Sequence, residues 1–156
     1  MTQATIKTTN VFHKAYKSST RITCLQGGTR SSKTYSLCQL FIVKALNETG
    51  KVFTICRKTL PALKGTAYRD VLELLKELDL YTEENHNKSE LSYALNGNLI
   101  EFISVDQPQK IRGRKRDYLW LNEANEFNYE DYQQLILRTT DKVYLDYNPS
   151  DPYSWI

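Results

Sequence analysis

A turn rich in glycine, serine and threonine ends in a lysine and a hydroxyl residue. It reads Gly-Gly-Thr-Arg-Ser-Ser-Lys-Thr and follows the apolar run Ile22 to Leu25 directly. In a phosphate-binding loop, backbone N–H groups surround a phosphate, the lysine reaches the β- and γ-phosphate oxygens, and the hydroxyl residue holds Mg²⁺. The turn therefore predicts a nucleotide site. Its candidate binding residues are Gly27, Gly28, Thr29, Arg30, Ser31, Ser32, Lys33 and Thr34.

Two residues of this turn carry specific expectations. Ser32 stands where the usual pattern has a second glycine, so a positive φ at that position would strain the backbone. Arg30 lies three residues before Lys33, where a guanidinium would be close to the phosphates. We therefore expect catalytic roles for Lys33 and Arg30. Taken alone, the turn is also consistent with a simple connection before a helix.

An acidic strand end is the second element that nucleotide hydrolysis needs. One carboxylate supports Mg²⁺ through water, and another polarises the attacking water. The run Tyr118 to Leu121 is followed by Asn122 and Glu123. Asn122 replaces the usual Asp and brings no charge, whereas Glu123 is the candidate general base. The alternative is that both residues cap a helix after a core strand.

A third polar strand end follows the apolar run Val143 to Tyr147. Asn148 precedes Pro149 there. Ligands of parallel α/β sheets lie beyond the carboxyl ends of strands, so Asn148 is expected near the γ-phosphate or the attacking water. The alternative is an Asn-Pro turn that binds nothing.

Five cations lie within seven residues before the acidic strand. They are Lys110, Arg112, Arg114, Lys115 and Arg116. Such a cluster can contact DNA phosphates, or it can offer one arginine to a neighbouring subunit's nucleotide site. A solvated turn is the alternative.

The pattern of apolar segments predicts a mainly parallel α/β fold. Strands are expected at Ile22–Leu25, Val52–Cys56, Tyr118–Leu121 and Val143–Tyr147, and helices at Tyr35–Leu46, Leu60–Leu80 and Tyr129–Leu137. The first of these helices is apolar on nearly every face and must be covered on more than one side. Asn96-Gly97 predicts a hairpin turn, which inserts an antiparallel pair.

Composition limits the class of protein. The 156 residues include 40% apolar and 25% charged side chains, with a net charge of +3 from 21 basic and 18 acidic residues. We expect one domain, and this charge neither requires nor excludes nucleic acid. The three cysteines are expected to be buried free thiols. No signal-peptide pattern and no membrane-length apolar stretch is present, which favours a cytosolic protein.

The combined motifs resemble the ATPase domain of the large subunit of a tailed-phage terminase. The similarity rests on residues 27–34, Lys110-Ile111-Arg112-Gly113, residues 118–126, Asn148-Pro149 and Trp155. It implies a three-layer P-loop NTPase fold of the ASCE type, with ATP and Mg²⁺ as cofactors. Lys33 and Thr34 would bind phosphate and metal, Asn122 would hold the metal through water, and Glu123 would activate water. Arg30 would sense the γ-phosphate.

The resemblance also implies a biological role. Such subunits form a homo-oligomeric ring that drives double-stranded viral DNA into a procapsid, with the portal protein and the small terminase subunit as partners, in the cytoplasm of the bacterial host. Asn148 would match the motif that couples hydrolysis to movement. Arg112 resembles the arginine offered to the adjacent subunit, and Arg138 is a second candidate for either task.

Departures from the family pattern leave two alternatives open. Ser32 and Asn122 predict weak metal affinity or slow turnover. The resemblance implies that family members continue past the motif at Asn148 to the end of the ATPase domain and then to a nuclease domain, so the ATPase domain of residues 1–156 is expected to be incomplete at its carboxyl end. This chain alone is therefore expected to hydrolyse ATP weakly. One alternative is another P-loop DNA motor, such as a helicase. The other is a nucleotide-binding assembly module without catalysis.

Overall fold

The structure, a computed structural model, describes residues 7–27, 32–113, 115–149 and 155–156. Four predicted loop residues, Gly28, Thr29, Arg30 and Ser31, lie outside this range, as does Arg114. The helices are α1 (Asn10–Lys17), α2 (Lys33–Asn47), α3 (Leu60–Gly65), α4 (Ala67–Glu77), α5 (Pro108–Gly113) and α6 (Tyr129–Leu137). The strands are β1 (Ile22–Gln26), β2 (Val52–Arg57), β3 (His86–Asn87), β4 (Ser92–Leu95), β5 (Asn98–Ser104), β6 (Arg116–Leu121) and β7 (Thr139–Tyr147). In these residues no helix has the length and apolar character needed to cross a membrane.

The seven strands form one sheet in the order β1-β7-β6-β2-β5-β4-β3. The first five strands of that order are parallel to their neighbours. β4 and β3 continue the sheet in antiparallel pairing. This arrangement confirms the predicted parallel sheet with an antiparallel hairpin. The last strand in sequence, β7, lies between β1 and β6, so the ends of all three strands are adjacent.

The hairpin turn has the geometry that its residue pair predicts. Asn96 and Gly97 have φ of 53° and 76°, and two successive positive φ values match the tight turn favoured between antiparallel strands. The Asn98 side chain donates hydrogen bonds to the carbonyls of Ala45 and Glu48 at 2.7 and 2.8 Å. The hairpin is therefore fixed to the carboxyl end of α2.

Helices cover both faces of the sheet, as expected of a three-layer fold. On one face Phe41 of α2 packs edge-on against Phe53, Trp120 and Tyr144. On the other face a second apolar cluster includes Ile111 of α5 and Leu135 of α6. Residues 37–42 of α2 are all buried, which confirms that this helix is covered on several sides.

Two expectations were wrong in detail. The single helix predicted over 60–80 is two helices, because Thr66 between them has φ of −131° and ψ of −99°. The three cysteines are free, but only Cys38 and Cys56 are buried. Cys24 is exposed because it lies on the uncovered face of β1, at the edge of the sheet.

Candidate nucleotide site

The lysine of the predicted phosphate loop is the first residue of α2. Ser32 before it adopts the left-handed conformation, with φ of 59° and ψ of 18°, so the strain foreseen for a residue other than glycine is present. The helix that follows has 15 residues and no acidic residue in its first turn. Its amino end therefore offers positive partial charge to an anion.

Lys33 brings two of the predicted motifs together. Its side chain is 8% exposed, and its Nζ donates to the Gly27 carbonyl at 2.6 Å and to Asn148 Oδ1 at 3.0 Å. The Gly27 N–H donates in turn to the Tyr147 carbonyl at 3.3 Å. The end of β7 is thus tied to the beginning of the phosphate loop.

The end of β6 is held by a carboxylate that sequence reasoning missed. Asp146 of β7 is fully buried, and it accepts hydrogen bonds from Asn122 Nδ2 at 3.1 and 3.3 Å and from the Glu123 backbone N–H at 3.2 Å. Trp120 Nε1 also donates to it. Glu123 itself has φ of 53°, a strained value for this residue type. The sequence signal for Asp146 was the presence of a charged residue within the apolar run Val143 to Tyr147.

Electrostatics favour a proton-accepting role for Glu123. Partial burial raises the pKa of its carboxyl group, the nearby Asp146 raises it further, and Arg57 opposes the shift. Burial also raises the pKa of Asp146, against the effect of the hydrogen bonds from Trp120, Asn122 and Glu123. A carboxylate with a raised pKa is a stronger base than one in water, as water activation requires.

Five of the predicted residues line one cavity of 260 Å³ at the carboxyl ends of the strands. Its lining residues are Ser32, Lys33, Thr34, Tyr35, Asp70, Glu123 and Asn148. Asp70 was missed because an acidic residue in an amphipathic helix carries no signal of its own. Asn122 is not among these residues and is 1% exposed. A larger cavity of 470 Å³ lies at the hairpin and is lined in part by Lys110 and Gly113, away from the phosphate loop and the acidic strand end.

The cation cluster lies at the other end of the sheet. Arg112 is exposed on α5, and its carbonyl accepts a hydrogen bond from Arg138 Nε at 2.8 Å. Both arginines precede the amino ends of β6 and β7. Arg116 is buried and donates to the carbonyls of Leu135 and Ile111, so it supports the fold instead of facing solvent. The structure therefore does not bring Arg112 or Arg138 to the cavity of their own chain.

A family model described as phage terminase large subunit matches residues 19–156. No curated protein sequence matches significantly. The large terminase of a thermophilic bacteriophage superimposes with a TM-score of 0.81 at 17% identity over 96% of this chain, and a second structure of it contains ATP-gamma-S.

Two further structures share the fold. The large terminase ATPase domain of Thermus phage P74-26 has a TM-score of 0.66 at 14% identity, over 90% of this chain and 64% of that one. The Phi-28 gp11 DNA packaging motor has a TM-score of 0.59 at 12% identity, over 91% and 50% of the two chains. The present chain spans 41% of the first terminase. At these identities the likeness shows the fold.

Proposed function

Because this chain belongs to the phage terminase large subunit family, we propose that it is an ATP-hydrolysing motor domain that drives double-stranded viral DNA into a procapsid. The observation that carries the proposal is the contact between Lys33 and Asn148 at a cavity that Glu123 also lines. These side chains come from three separate motifs of the sequence. A simple turn, a helix cap and an Asn-Pro turn, taken independently, would not require them to meet.

Phosphate binding uses the beginning of α2. Lys33 Nζ is close enough to the loop to exchange its bond with Gly27 for bonds to phosphate oxygens. Gly27, Gly28, Thr29, Arg30, Ser31, Ser32 and Thr34 complete the proposed phosphate loop. Its backbone N–H groups and the amino end of α2 would then neutralise the phosphate charge. Arg30 is proposed to act on the γ-phosphate.

Glu123 is the proposed general base. It lines the same cavity as Lys33, and its raised pKa suits it to accept a proton from water that attacks the γ-phosphate. Asn148 bonds to Lys33 and lines the same cavity, so it is placed to respond when a γ-phosphate arrives or leaves. We therefore assign it the coupling role.

The residues at the cavity fit a bound Mg²⁺. This ion prefers oxygen ligands, keeps several waters and is usually held by one or two protein groups together with phosphates. Thr34, Asp70 and Glu123 line the cavity, and Asn122 is buried beside Glu123 in the sequence. Within the described part of the chain no group of three or more His, Cys, Asp or Glu side chains could hold a metal alone. Mg²⁺ would supply a positive charge that neutralises the phosphates.

The remaining partners follow from the same proposal. Double-stranded DNA is the proposed track, and the portal protein and the small terminase subunit are the proposed assembly partners, in the cytoplasm of a bacterial host. Arg112 lies far from the cavity of its own chain, at the opposite end of β6. It is therefore proposed to act on the site of the next subunit in a ring.

Hydrolysis of Mg-ATP with and without duplex DNA tests the function. We expect slow activity in this chain, stimulation by duplex DNA without sequence preference, and a loss of about 100-fold or more in Glu123→Gln. Glu130→Gln changes an exposed carboxylate on α6 and serves as the matched control. Stimulation by single strands only would favour a helicase. ATP binding with no hydrolysis in any variant would favour an assembly module.

A further inference from the structure

The strand end that lacks an aspartate at position 122 receives a buried carboxylate from the neighbouring strand. In the register of the sheet, Leu121 of β6 pairs with Leu145 of β7, and Leu25 of β1 pairs with Asp146. Asp146 therefore lies between the strand that leads into the phosphate loop and the strand that carries Asn122 and Glu123. Since Leu121 pairs with Leu145, Asp146 is level with position 122, where the usual acidic residue is missing.

The side chain of Asp146 faces the helix that begins with Lys33. Trp120 and Tyr144 both contact Phe41 of α2, and alternate residues of a strand share a face. Asn122 and Asp146 follow these two residues by two positions, so they face α2 as well. Burial raises the pKa of Asp146, and the charge of Lys33 at the beginning of α2 opposes this shift.

The environment of Asp146 is built for an anion. A buried carboxylate is costly unless donors compensate it. Three donors from the end of β6 meet this need: Trp120 Nε1, Asn122 Nδ2 and the Glu123 N–H. Two of the three come from the predicted site residues themselves.

The same contacts determine what Asn122 presents to the site. Its Nδ2 donates to Asp146, and its Oδ1 lies 3.4 Å from Thr66 Oγ1, whose shorter bond of 2.6 Å goes to the Ala62 carbonyl. The long contact leaves acceptor capacity on Oδ1. Because Nδ2 of this amide donates to a carboxylate, the amide is polarised and its Oδ1 becomes a stronger hydrogen-bond acceptor.

We infer that Asp146 is a positioning residue that restores, through Asn122, the negative charge that the β6 strand end needs to hold Mg²⁺ with the nucleotide. The inference rests on the proposed function. Asn122 and Asp146 together then carry one negative charge, as a single aspartate at position 122 would. Glu123 is oriented by the same carboxylate through its backbone N–H, so one side chain organises both residues of the acidic strand end.

ADP binding as a function of Mg²⁺ concentration tests this inference without relying on hydrolysis. We expect Asp146→Asn to raise the Mg²⁺ concentration for half-maximal effect about 10-fold to 100-fold, as loss of a group behind a metal ligand does, with ADP binding in EDTA unchanged. The double variant Asn122→Asp with Asp146→Asn exchanges the two groups across the same contact. It should return the Mg²⁺ midpoint to that of the unmodified chain.

Two controls separate this role from a structural one. Asp141→Asn makes the same change at the other end of β7 and should leave the midpoint unchanged. Asp70→Asn removes a different carboxylate that lines the cavity and is the alternative source of negative charge for Mg²⁺. The inference is overturned if Asp70→Asn raises the Mg²⁺ midpoint and Asp146→Asn does not. It is also overturned if the folded double variant has the same raised midpoint as Asp146→Asn.

Failure of the inference can be told from failure of the proposed function. If the unmodified chain binds no ADP at any Mg²⁺ concentration, the nucleotide site itself is refuted, and the inference with it. If ADP binds and Asp146→Asn has a normal midpoint, only the role of Asp146 is refuted. If Asp146→Asn does not fold, the double variant decides, because it keeps one carboxylate and one amide in contact.

Discussion

Ser32 is the residue at which the phosphate loop departs from its usual pattern and at which the backbone is strained. Its φ of 59° is unfavourable for a side chain with a Cβ, and it makes no side-chain hydrogen bond as the cap of α2. We expect Ser32→Gly to raise the free energy of unfolding by up to about 1 kcal/mol. Denaturant unfolding monitored by circular dichroism measures the change.

The control for this variant lies one turn further along α2. Ser36→Gly places glycine inside the helix and removes a hydrogen bond of 2.6 Å to Thr9 Oγ1. It should lower the free energy of unfolding by about 1 kcal/mol. A Ser32→Gly variant that is less stable than the unmodified chain would show that the serine has a compensating contact.

The site was predictable from sequence to the extent that each residue belongs to a local motif. Lys33, Glu123 and Asn148 each follow a short apolar run, and parallel strands gather such positions at one edge. Asp146 was not predictable in its role. Its contact with Asn122 depends on β7 lying beside β6, and strand order is not encoded in any local pattern.

At the scale of elements, the short strand β3 is attached through a histidine that bonds to two tyrosines. Nε2 of His86 is 2.6 Å from the Tyr68 hydroxyl, and Nδ1 is 2.7 Å from the Tyr81 hydroxyl. Burial lowers the pKa of His86, Lys88 and Lys76 lower it further, and Glu83 opposes them. Together with the ring of Tyr93, these are the groups that face the imidazole.

Stability should therefore depend on pH through His86. A histidine whose pKa is lower in the folded state binds fewer protons there than in the unfolded state, so stability is complete above the unfolded pKa and falls as pH decreases. We expect the melting temperature to fall between about pH 7 and pH 5, and His86→Gln to reduce that fall. Thermal melts across this range measure it.

The other histidine of the chain provides the control. His13→Gln should keep the pH dependence of the unmodified chain, because His13 is exposed on α1 and bonds to Thr8. An equal pH dependence in His86→Gln and the unmodified chain would assign the effect to carboxylates.

The elements show where apolar patterns fail. The strands β1, β2, β6 and β7 were predicted to within four residues, because short apolar runs between turns have few other solutions. The two-residue strand β3 was not predicted. The break at Thr66 was missed because apolar spacing continues through it from Leu63 to Val71, although Gly65 just before it is a residue type common at helix ends. Its cause is tertiary: the Thr66 hydroxyl accepts a hydrogen bond from Arg57 at the end of β2.

At the scale of the whole molecule, the two ends of the sheet carry different parts of the proposed reaction. The cavity lies at the carboxyl ends of β1, β7 and β6, and Arg112 lies before the amino end of β6. If Arg112 completes the site of a neighbour, Arg112→Ala and Glu123→Gln should each be inactive alone. A mixture should regain part of the ATPase rate, since some interfaces then pair an intact Arg112 with an intact Glu123.

Steady-state hydrolysis at several mixing ratios measures this complementation. Lys115→Ala changes an adjacent exposed cation and should stay active without a partner. A mixture that is no more active than its components would refute a shared site. Normal activity of Arg112→Ala alone would limit the cation cluster to a contact with DNA.

The bond between Lys33 and Asn148 gives the proposed nucleotide site a second consequence. The Lys33 ammonium group donates to the Gly27 carbonyl and to Asn148 Oδ1, although Asn148 lies 115 positions further along the chain. If the site binds phosphate as proposed, phosphate oxygens compete with these two oxygens for the N–H groups of one side chain. Nucleotide occupancy would then change the hydrogen bonding of the residue that follows β7 through a change of partner at Lys33, without movement of a helix or strand.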